Sequence, residues 1–214
     1  SSLKAKYQTK SLGKSISQYE MLKKYYLGFK EMKILYKFCK EKKINFLASI
    51  FDIKSLNFLK KLNVDYIKLP SSEINNYFLL NALSKQKKKI IYSTGMATFE
   101  EIKTAYNILK KNKNKILPMY CVSSYPTSLR EINFKNFIRL KNLSKEVGFS
   151  DHTISNESSI IASYLGASVI ERHITLDKKN KGPDHSASLD TKEFSRFVES
   201  VRNVEMIITK TKKN

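Results

Sequence analysis

The sequence has few of the features that would place a protein outside the cell or in a membrane. It contains only two cysteines in 214 residues, Cys39 and Cys121, and these provide no disulfide framework for a chain of this length. No apolar run approaches the roughly 18–20 residues that a membrane-spanning helix needs. The first ten residues are polar and basic and lack the apolar core of a signal peptide. We therefore expect a cytoplasmic protein with no membrane partner.

Acidic residues are scarce relative to basic ones. The chain has 19 Asp and Glu against 40 Lys and Arg, which gives a formal net charge of +21. Such an excess can indicate binding to nucleic acid. The lysines, however, occur in every segment of the chain rather than along one stripe, which is typical of a solvated surface. We expect no specific nucleic-acid partner, although a positive field would help to attract a small anionic substrate.

What the sequence does contain is a regular alternation of short apolar runs with longer amphipathic stretches. A hydrophobic fraction of 41% suits a globular protein, and the length suits one domain. The apolar runs have the length and the bounding residues of buried parallel strands. The six predicted strands cover residues 46–51, 65–70, 89–94, 116–121, 146–151 and 168–174.

The stretches between these runs carry apolar residues at helical spacing. The first predicted helix is long and is expected to break near Gly28. Thr98 and Glu101 have the spacing of a capping box, and Gly166 is a typical helix stop. The predicted helices cover residues 16–43, 55–62, 75–84, 98–111, 134–143, 155–165 and 191–210.

Six strand–helix repeats indicate an α/β fold with a parallel sheet. Both an open doubly wound sheet and a (β/α)₈ barrel have this pattern. A complete barrel needs eight strands and about 250 residues. The number of strands alone therefore leaves the choice open, and the polar motifs have to decide it.

Polar motifs follow the predicted strands at their carboxyl ends, where barrel enzymes place their active sites. Strand alternation places Ser150 and His152 on one face of the fifth predicted strand, and Glu171 and His173 on one face of the sixth. If these strands are neighbours, the two histidines can share a divalent metal, because imidazole is a common ligand for such ions. Two histidines alone are equally compatible with a structural role.

A second group combines Lys68 with the hydroxyls of Ser71, Ser93 and Ser150, all at strand ends. An ammonium group and several hydroxyls suit a phosphate or a carboxylate. The turn at residues 93–96 also leads to a helix N-terminus, where free backbone N–H groups favour anions. Each hydroxyl taken singly can equally be a helix cap.

Two acidic residues, Glu73 and Asp184, lie on loops that follow strands. Either carboxylate can hold the hydroxyl or amide groups of a substrate. A single loop carboxylate is also a common feature of a solvated surface.

Taken together, the motifs resemble the sialic acid synthases, and specifically the bacterial N-acetylneuraminate synthases, in their order and spacing. The similar stretch runs from about Tyr7 to the last predicted helix. The motifs are residues 68–76 (KLPSSEINN), 93–96 (STGM), 124–127 (SYPT), 150–153 (SDHT), 171–173 (ERH) and 182–185 (GPDH).

This resemblance implies a (β/α)₈ TIM barrel, of which the chain would be one partial domain, residues 1–214, with six of the eight strands. The family also has two earlier strands, which bear an essential Glu and a phosphate-binding Lys, and a C-terminal antifreeze-like domain. Neither part is found in this sequence, so we expect the chain alone to be inactive. The family forms homodimers.

The resemblance further implies a transferase of carbohydrate biosynthesis, of the kind that supplies sialic acid for lipopolysaccharide or capsule. Phosphoenolpyruvate, an N-acetylated sugar such as N-acetylmannosamine, and water would give N-acetylneuraminate and phosphate, with Mn²⁺ or Mg²⁺ as the cofactor. By position, His152 and His173 would bind the metal, and Glu73 and Asp184 would be catalytic residues that hold the sugar. The phosphoenolpyruvate ligands would be Lys68, Ser71, Ser93, Ser123, Tyr125 and Ser150, with Ser123 where the family often has Asn.

Two alternatives remain open. One is a legionaminic or pseudaminic acid synthase of the same family. Residues 182–189 are more similar to the neuraminate and legionaminate types than to the pseudaminate type, and the sequence does not separate the first two. The other alternative is an inactive remnant that still binds a ligand.

Overall fold

A computed structural model describes residues 17–111 and 115–210 of the chain. The strands are β1 (Tyr66–Leu69), β2 (Lys89–Ser93), β3 (Ile116–Cys121), β4 (Gly148–Asp151) and β5 (Val169–Arg172). The helices are α1 (Gln18–Tyr25), α2 (Phe29–Glu41), α3 (Ile53–Leu62), α4 (Tyr77–Ser84), α5 (Phe99–Lys110), α6 (Phe134–Leu143), α7 (Glu157–Tyr164) and α8 (Thr191–Lys210). None of these described helices is long and apolar enough to span a bilayer.

The five strands form one parallel sheet in chain order, from β1 to β5. Each strand–helix–strand connection therefore places the next strand beside the last, as in a barrel wall. Five of the six predicted strands are confirmed, each with its ends within two residues of the prediction. The fold is an α/β half-barrel, as the predicted incomplete TIM barrel requires.

The prediction of a strand at residues 46–51 is wrong in extent. In the described chain this segment forms a single parallel bridge, between Ser49 and Lys68 of β1. The amide of Lys68 donates to Ala48 O (3.3 Å), and the amide of Ile50 donates to Lys68 O (3.0 Å). Asp52 directly follows this segment and already caps α3, where its Oδ1 accepts the amide of Ser55 (2.6 Å).

The sheet is strongly curled. Its two outer strands, β1 and β5, are four strand spacings apart, which corresponds to about 19 Å along a flat sheet. Lys68 of β1 nevertheless contacts Glu171 of β5, with Nζ 2.6 Å from both carboxylate oxygens. Side chains of this length can meet only across a concave surface.

Strand alternation gives the sheet two different faces. The convex face packs against the helices through buried residues such as Ile67, Tyr92 and Phe149. The concave face holds a smaller apolar cluster of Ile91, Leu117 and Met119. Polar residues follow this cluster toward the carboxyl ends of the strands, so the site lies above an apolar plug.

Gly148 of β4 belongs to the same concave layer. A Cβ at this position would lie 2.5 Å from Met119 Cγ and 3.0 Å from Leu117 Cδ2. The missing side chain therefore makes room for the apolar plug beneath the site.

The predicted helix boundaries are largely confirmed. The long first helix breaks where expected, and Gly28 caps the second part, although residue 16 lies outside the described residues. Thr98 and Glu101 form the capping box of α5. Gly166 follows α7 with a φ of +84°, a conformation that favours glycine over other residues.

Candidate active site

The concave face opens at the carboxyl ends of the strands into a cavity of about 490 Å³. Seven of the ten predicted site residues line it. Six of them lie on, or directly after, β1, β2, β4 or β5, and one lies on the loop between β3 and α6. These are Lys68, Ser71, Ser93, Tyr125, Ser150, His152 and His173; the wall also includes Ser49, Phe51, Pro70, Cys121, Glu171 and Arg172.

Lys68 lies at the centre of a charged network within this cavity. Its Nζ lies 2.6 Å from each oxygen of Glu171, and Ser150 Oγ donates to Glu171 Oε1 (2.8 Å). Burial acts to raise the pKa of the Glu171 carboxyl, but the Lys68 ammonium and the hydrogen bonds from Lys68 and Ser150 outweigh it and lower that pKa. Glu171 is therefore ionised, and its carboxylate is bound by both the Lys68 ammonium and the Ser150 hydroxyl.

His152 is held as a neutral imidazole with one defined tautomer. Its Nδ1 lies 2.7 Å from the Val122 carbonyl oxygen, which can only accept, so Nδ1 carries the proton. Burial lowers the pKa of His152, and the neighbouring His173 lowers it further, although the bond to Val122 opposes this change. The Nε2 lone pair faces Ser150 Oγ at 3.2 Å, but the proton of that hydroxyl is directed to Glu171.

His173 lies beside His152, because β4 and β5 pair directly in the sheet. The two ring centroids are 5.6 Å apart. Tyr125 packs against both, with centroids 4.0 Å from His152 and 5.7 Å from His173. The predicted meeting of the two histidines is confirmed, and so is the shared face of Ser150 and His152.

These two imidazoles fit a divalent metal as a partial ligand set. A neutral imidazole with a free Nε2 lone pair is the form that binds metal. Within residues 17–111 and 115–210, no group of three or more His, Cys, Asp or Glu side chains is arranged to hold an ion. Water or substrate oxygens would have to complete the coordination.

Ser123 does not line this cavity but a neighbouring one of about 600 Å³. Gly95 lies between the two. A Cβ on Gly95 would clash with Ser123 Oγ and would lie 2.9 Å from Cys121 Sγ and 3.4 Å from Ser71 Oγ. Ser123, Cys121 and Ser71 therefore border the space that a side chain at Gly95 would fill.

The two predicted catalytic acids also lie away from the cavity wall. Glu73 accepts a hydrogen bond from Asn76 Nδ2 (2.9 Å) on the loop after β1. Asp184 precedes a short 3₁₀ helix, and its Oδ1 is buried with no hydrogen-bond partner among the described residues. The third histidine, His185, is bonded to Thr175 Oγ1 (2.7 Å) and is separate from the histidine pair.

Glu171 is the main site residue that was not assigned a role from the sequence. The available signal was strand alternation, which placed Glu171 on the same strand face as His173. Its partner Lys68 lies 103 residues earlier in the chain. No local pattern connects residues so far apart, so the ion pair became visible only in the folded structure.

Comparisons with known proteins show which family the chain matches. The model of the NeuB family matches residues 1–213. An N,N'-diacetyllegionaminic acid synthase of Campylobacter jejuni is 41% identical over 94% of this chain, and one of Legionella pneumophila is 36% identical over 96%. The chain spans 62% and 59% of the lengths of these two relatives.

Among solved structures, an N-acetylneuraminic acid synthetase of Leptospira borgpetersenii, in complex with citrate, superposes with a TM-score of 0.86. The two chains are 32% identical, and the match covers 94% of this chain and 71% of the other.

Proposed function

The chain belongs to the NeuB family, and from this premise we propose that the protein condenses phosphoenolpyruvate with an N-acetylated sugar and releases phosphate. The observation that carries the proposal is the single cavity in which an ammonium, several hydroxyls and a pair of imidazoles meet. An anionic substrate and a divalent cation both find suitable partners there. A cytoplasmic location and a homodimeric state are parts of the same proposal.

Lys68, Ser71, Ser93 and Ser150 are proposed to hold the phosphate and carboxylate of phosphoenolpyruvate. Lys68 supplies the positive charge, and the hydroxyls supply directional hydrogen bonds. Lys68 and Ser150 both bond to the Glu171 carboxylate, so these donors are able to converge on one anion, and phosphoenolpyruvate would have to displace Glu171 from them. Fixing both ends of phosphoenolpyruvate orients its carbon 3 for attack.

His152 and His173 are proposed to hold Mn²⁺ or Mg²⁺. A divalent ion there would act as a Lewis acid toward the aldehyde of the open-chain sugar. The chain's own contribution is the fixed neutral tautomer of His152, set by Val122 (2.7 Å), and the packing of Tyr125 over both rings. These contacts keep the two imidazole rings in place before a substrate arrives.

The proposed reaction forms one carbon–carbon bond and one carbon–oxygen bond from water, breaks the carbon–oxygen bond to phosphate, and leaves the protonated aldehyde oxygen as a hydroxyl. Carbon 3 of phosphoenolpyruvate bonds to the aldehyde carbon of the sugar, and water adds at carbon 2. The resulting tetrahedral centre loses phosphate by C–O cleavage. Glu73 and Asp184 are proposed to hold the sugar. Each lies on a loop that follows the carboxyl end of a strand.

Two sugars are candidates. The first is N-acetylmannosamine, which would give N-acetylneuraminate, in line with the resemblance of the motifs to N-acetylneuraminate synthases. A di-N-acetylated sugar that would give N,N'-diacetyllegionaminic acid is the second candidate, and the names of the Campylobacter and Legionella relatives support it.

Turnover is best tested in a chimeric protein, in which one of the similar synthases supplies the strands that close the barrel. Phosphate release is followed with phosphoenolpyruvate, Mn²⁺ and each sugar in turn, and the product is identified by mass spectrometry. We expect release with at least one of the two sugars and none without a sugar. Folded protein that binds phosphoenolpyruvate but converts neither sugar would contradict the proposed reaction.

A further inference from the structure

The two strand ends that carry the histidine pair are joined by side chains on both faces of the sheet. On the concave face, Ser150 Oγ donates to Glu171 (2.8 Å), and these residues are register partners. On the convex face, the next register partners, Asp151 and Arg172, form an ion pair of 2.8 Å. The histidines follow immediately on each strand.

Arg172 also binds the backbone on the far side of His152. Its NH2 donates to Thr153 O (2.8 Å), and its NH1 donates to Ser155 O (2.7 Å) as well as to Asp151. One guanidinium therefore holds the residue before His152 and the residue after it. Because Arg172 directly precedes His173, the same residue is tied to both histidines.

Asp151 completes this arrangement from the other side. Its Oδ1 accepts the amide of Thr153 (2.9 Å), and its Oδ2 accepts the hydroxyls of Ser158 (2.7 Å) and Ser159 at the start of α7. The side chains of Arg172 and Asp151 are 1% and 0% exposed. The pair is therefore shielded from solvent and has little freedom to rearrange.

We propose that Arg172, together with Asp151, is a positioning residue that fixes His152 relative to His173. The inference rests on the proposed role of the two histidines as metal ligands. Neither Arg172 nor Asp151 belongs to the predicted site, and they act through the backbone that carries the histidines. Outer partners that orient metal ligands typically change metal affinity by about 10–100-fold when they are replaced.

The fork shape of the guanidinium is essential to this role. Its three principal acceptors, on Asp151, Thr153 and Ser155, are reached by two different nitrogens. A lysine keeps the charge next to Asp151 but presents a single nitrogen, so it cannot reproduce the planar fork. The Arg172→Lys variant therefore keeps the positive charge next to Asp151 but removes the fork that positions the backbone.

The test compares the wild-type protein with Arg172→Lys and Asp151→Asn. Mn²⁺ affinity is measured by calorimetry, and the ¹⁵N imidazole spectrum reports the tautomer of His152 without metal. We expect Mn²⁺ binding to weaken about 10–100-fold in both variants. We also expect the Nδ1–H tautomer of His152 to give way to a mixture of tautomers.

Leu59→Ala on α3 is the control, because it removes buried apolar contact without touching β4 or β5. It should lower the melting temperature but leave the Mn²⁺ affinity and the His152 tautomer unchanged. Unchanged affinity and tautomer in Arg172→Lys and Asp151→Asn would overturn the inference. If the wild-type protein binds no Mn²⁺ but the two variants still change the tautomer of His152, the positioning role stands and the proposed metal site is contradicted.

Discussion

Among individual side chains, Lys68 has the most direct connection to the proposed chemistry. It shares a strand face with Tyr66, as the alternation predicts, and its Nζ lies in the cavity against Glu171 at 2.6 Å. The opposite face of β1 carries Ile67 and Leu69, which are fully buried. A lysine at this position is therefore part of the cavity wall and not of the solvated surface.

Replacing Lys68 with alanine should raise the Michaelis constant for phosphoenolpyruvate much more than that for the sugar, because Lys68 is the proposed positive partner of the anionic substrate. Steady-state kinetics in a version with a closed barrel measures both constants. Lys89→Ala is the matched control, since Lys89 lies at the opposite end of the sheet and bonds to Tyr66 OH (3.1 Å). Equal changes for both substrates would contradict the assignment.

The histidine pair leads to a second prediction. His152→Ala and His173→Ala should each weaken Mn²⁺ binding by at least roughly tenfold, since each removes one of the two proposed imidazole ligands. Calorimetric titration with Mn²⁺ measures the loss. His185→Ala should have no effect, because His185 is bonded to Thr175 and lies apart from the pair. Mn²⁺ binding that survives both substitutions would place the metal elsewhere.

At the level of helices, the capping box of α5 connects a sequence motif to stability. Thr98 Oγ1 accepts the amide of Glu101, and Glu101 Oε2 accepts the amide of Thr98 (2.7 Å). Thr98→Ala should lower the free energy of unfolding by about 1 kcal/mol in urea denaturation. Thr104→Ala, at an exposed position inside the same helix, is the control and should be neutral or slightly stabilising.

The same capping box should make stability depend on pH. The hydrogen bond from the Thr98 amide, together with bonds from the Thr98 hydroxyl and Asn75, lowers the pKa of Glu101 from its ordinary value of 4.5. A lowered pKa in the folded state means that the stabilisation is present above pH 4.5 and is lost as the pH falls through the lowered value.

Glu101→Gln should remove this dependence. The difference in melting temperature between wild type and variant should therefore shrink as the pH is lowered below 4.5. A difference that stays constant across that range would show that the Glu101 carboxylate does not contribute through its charge.

For the molecule as a whole, the open sheet is the feature that matters most. Beside β1 the described chain offers only the bridge at Ser49, and beyond β5 only the bridge between Ile174 and Leu189. Large apolar side chains next to these edges are exposed, with Phe51 at 58% and Leu176 at 89%. A closed barrel has no such edges, and unpaired edges invite pairing with another chain.

We therefore expect the 214-residue chain by itself to self-associate and to show no turnover. Analytical ultracentrifugation measures the association, and phosphate release with both sugars measures the turnover. Adding barrel strands from one of the similar synthases should reverse both properties. A soluble monomer with turnover comparable to that of a matched relative would contradict this expectation.

Much of the fold could be predicted from the sequence because strand and helix signals are local. The capping box at Thr98 and the stop at Gly166 depend on residues a few positions apart, and both are confirmed. The extent of the strand at 46–51 could not be predicted, because pairing depends on the neighbouring strand and the segment forms only one bridge, to Lys68. Ser123 lines the neighbouring cavity and not the one that contains Lys68, and this depends on how separate loops pack, which no local pattern contains.

The sequence by itself determined the order of strands and helices, the placement of polar residues at strand ends, and which residues share a strand face, because alternation and helical spacing are properties of neighbouring residues. Only the tertiary structure decided that Lys68 meets Glu171 and that Arg172 holds both sides of His152. These contacts depend on the curl of the sheet and on the pairing register of β4 with β5. Curl and register arise from the packing of the whole barrel wall, and no short stretch of sequence contains them.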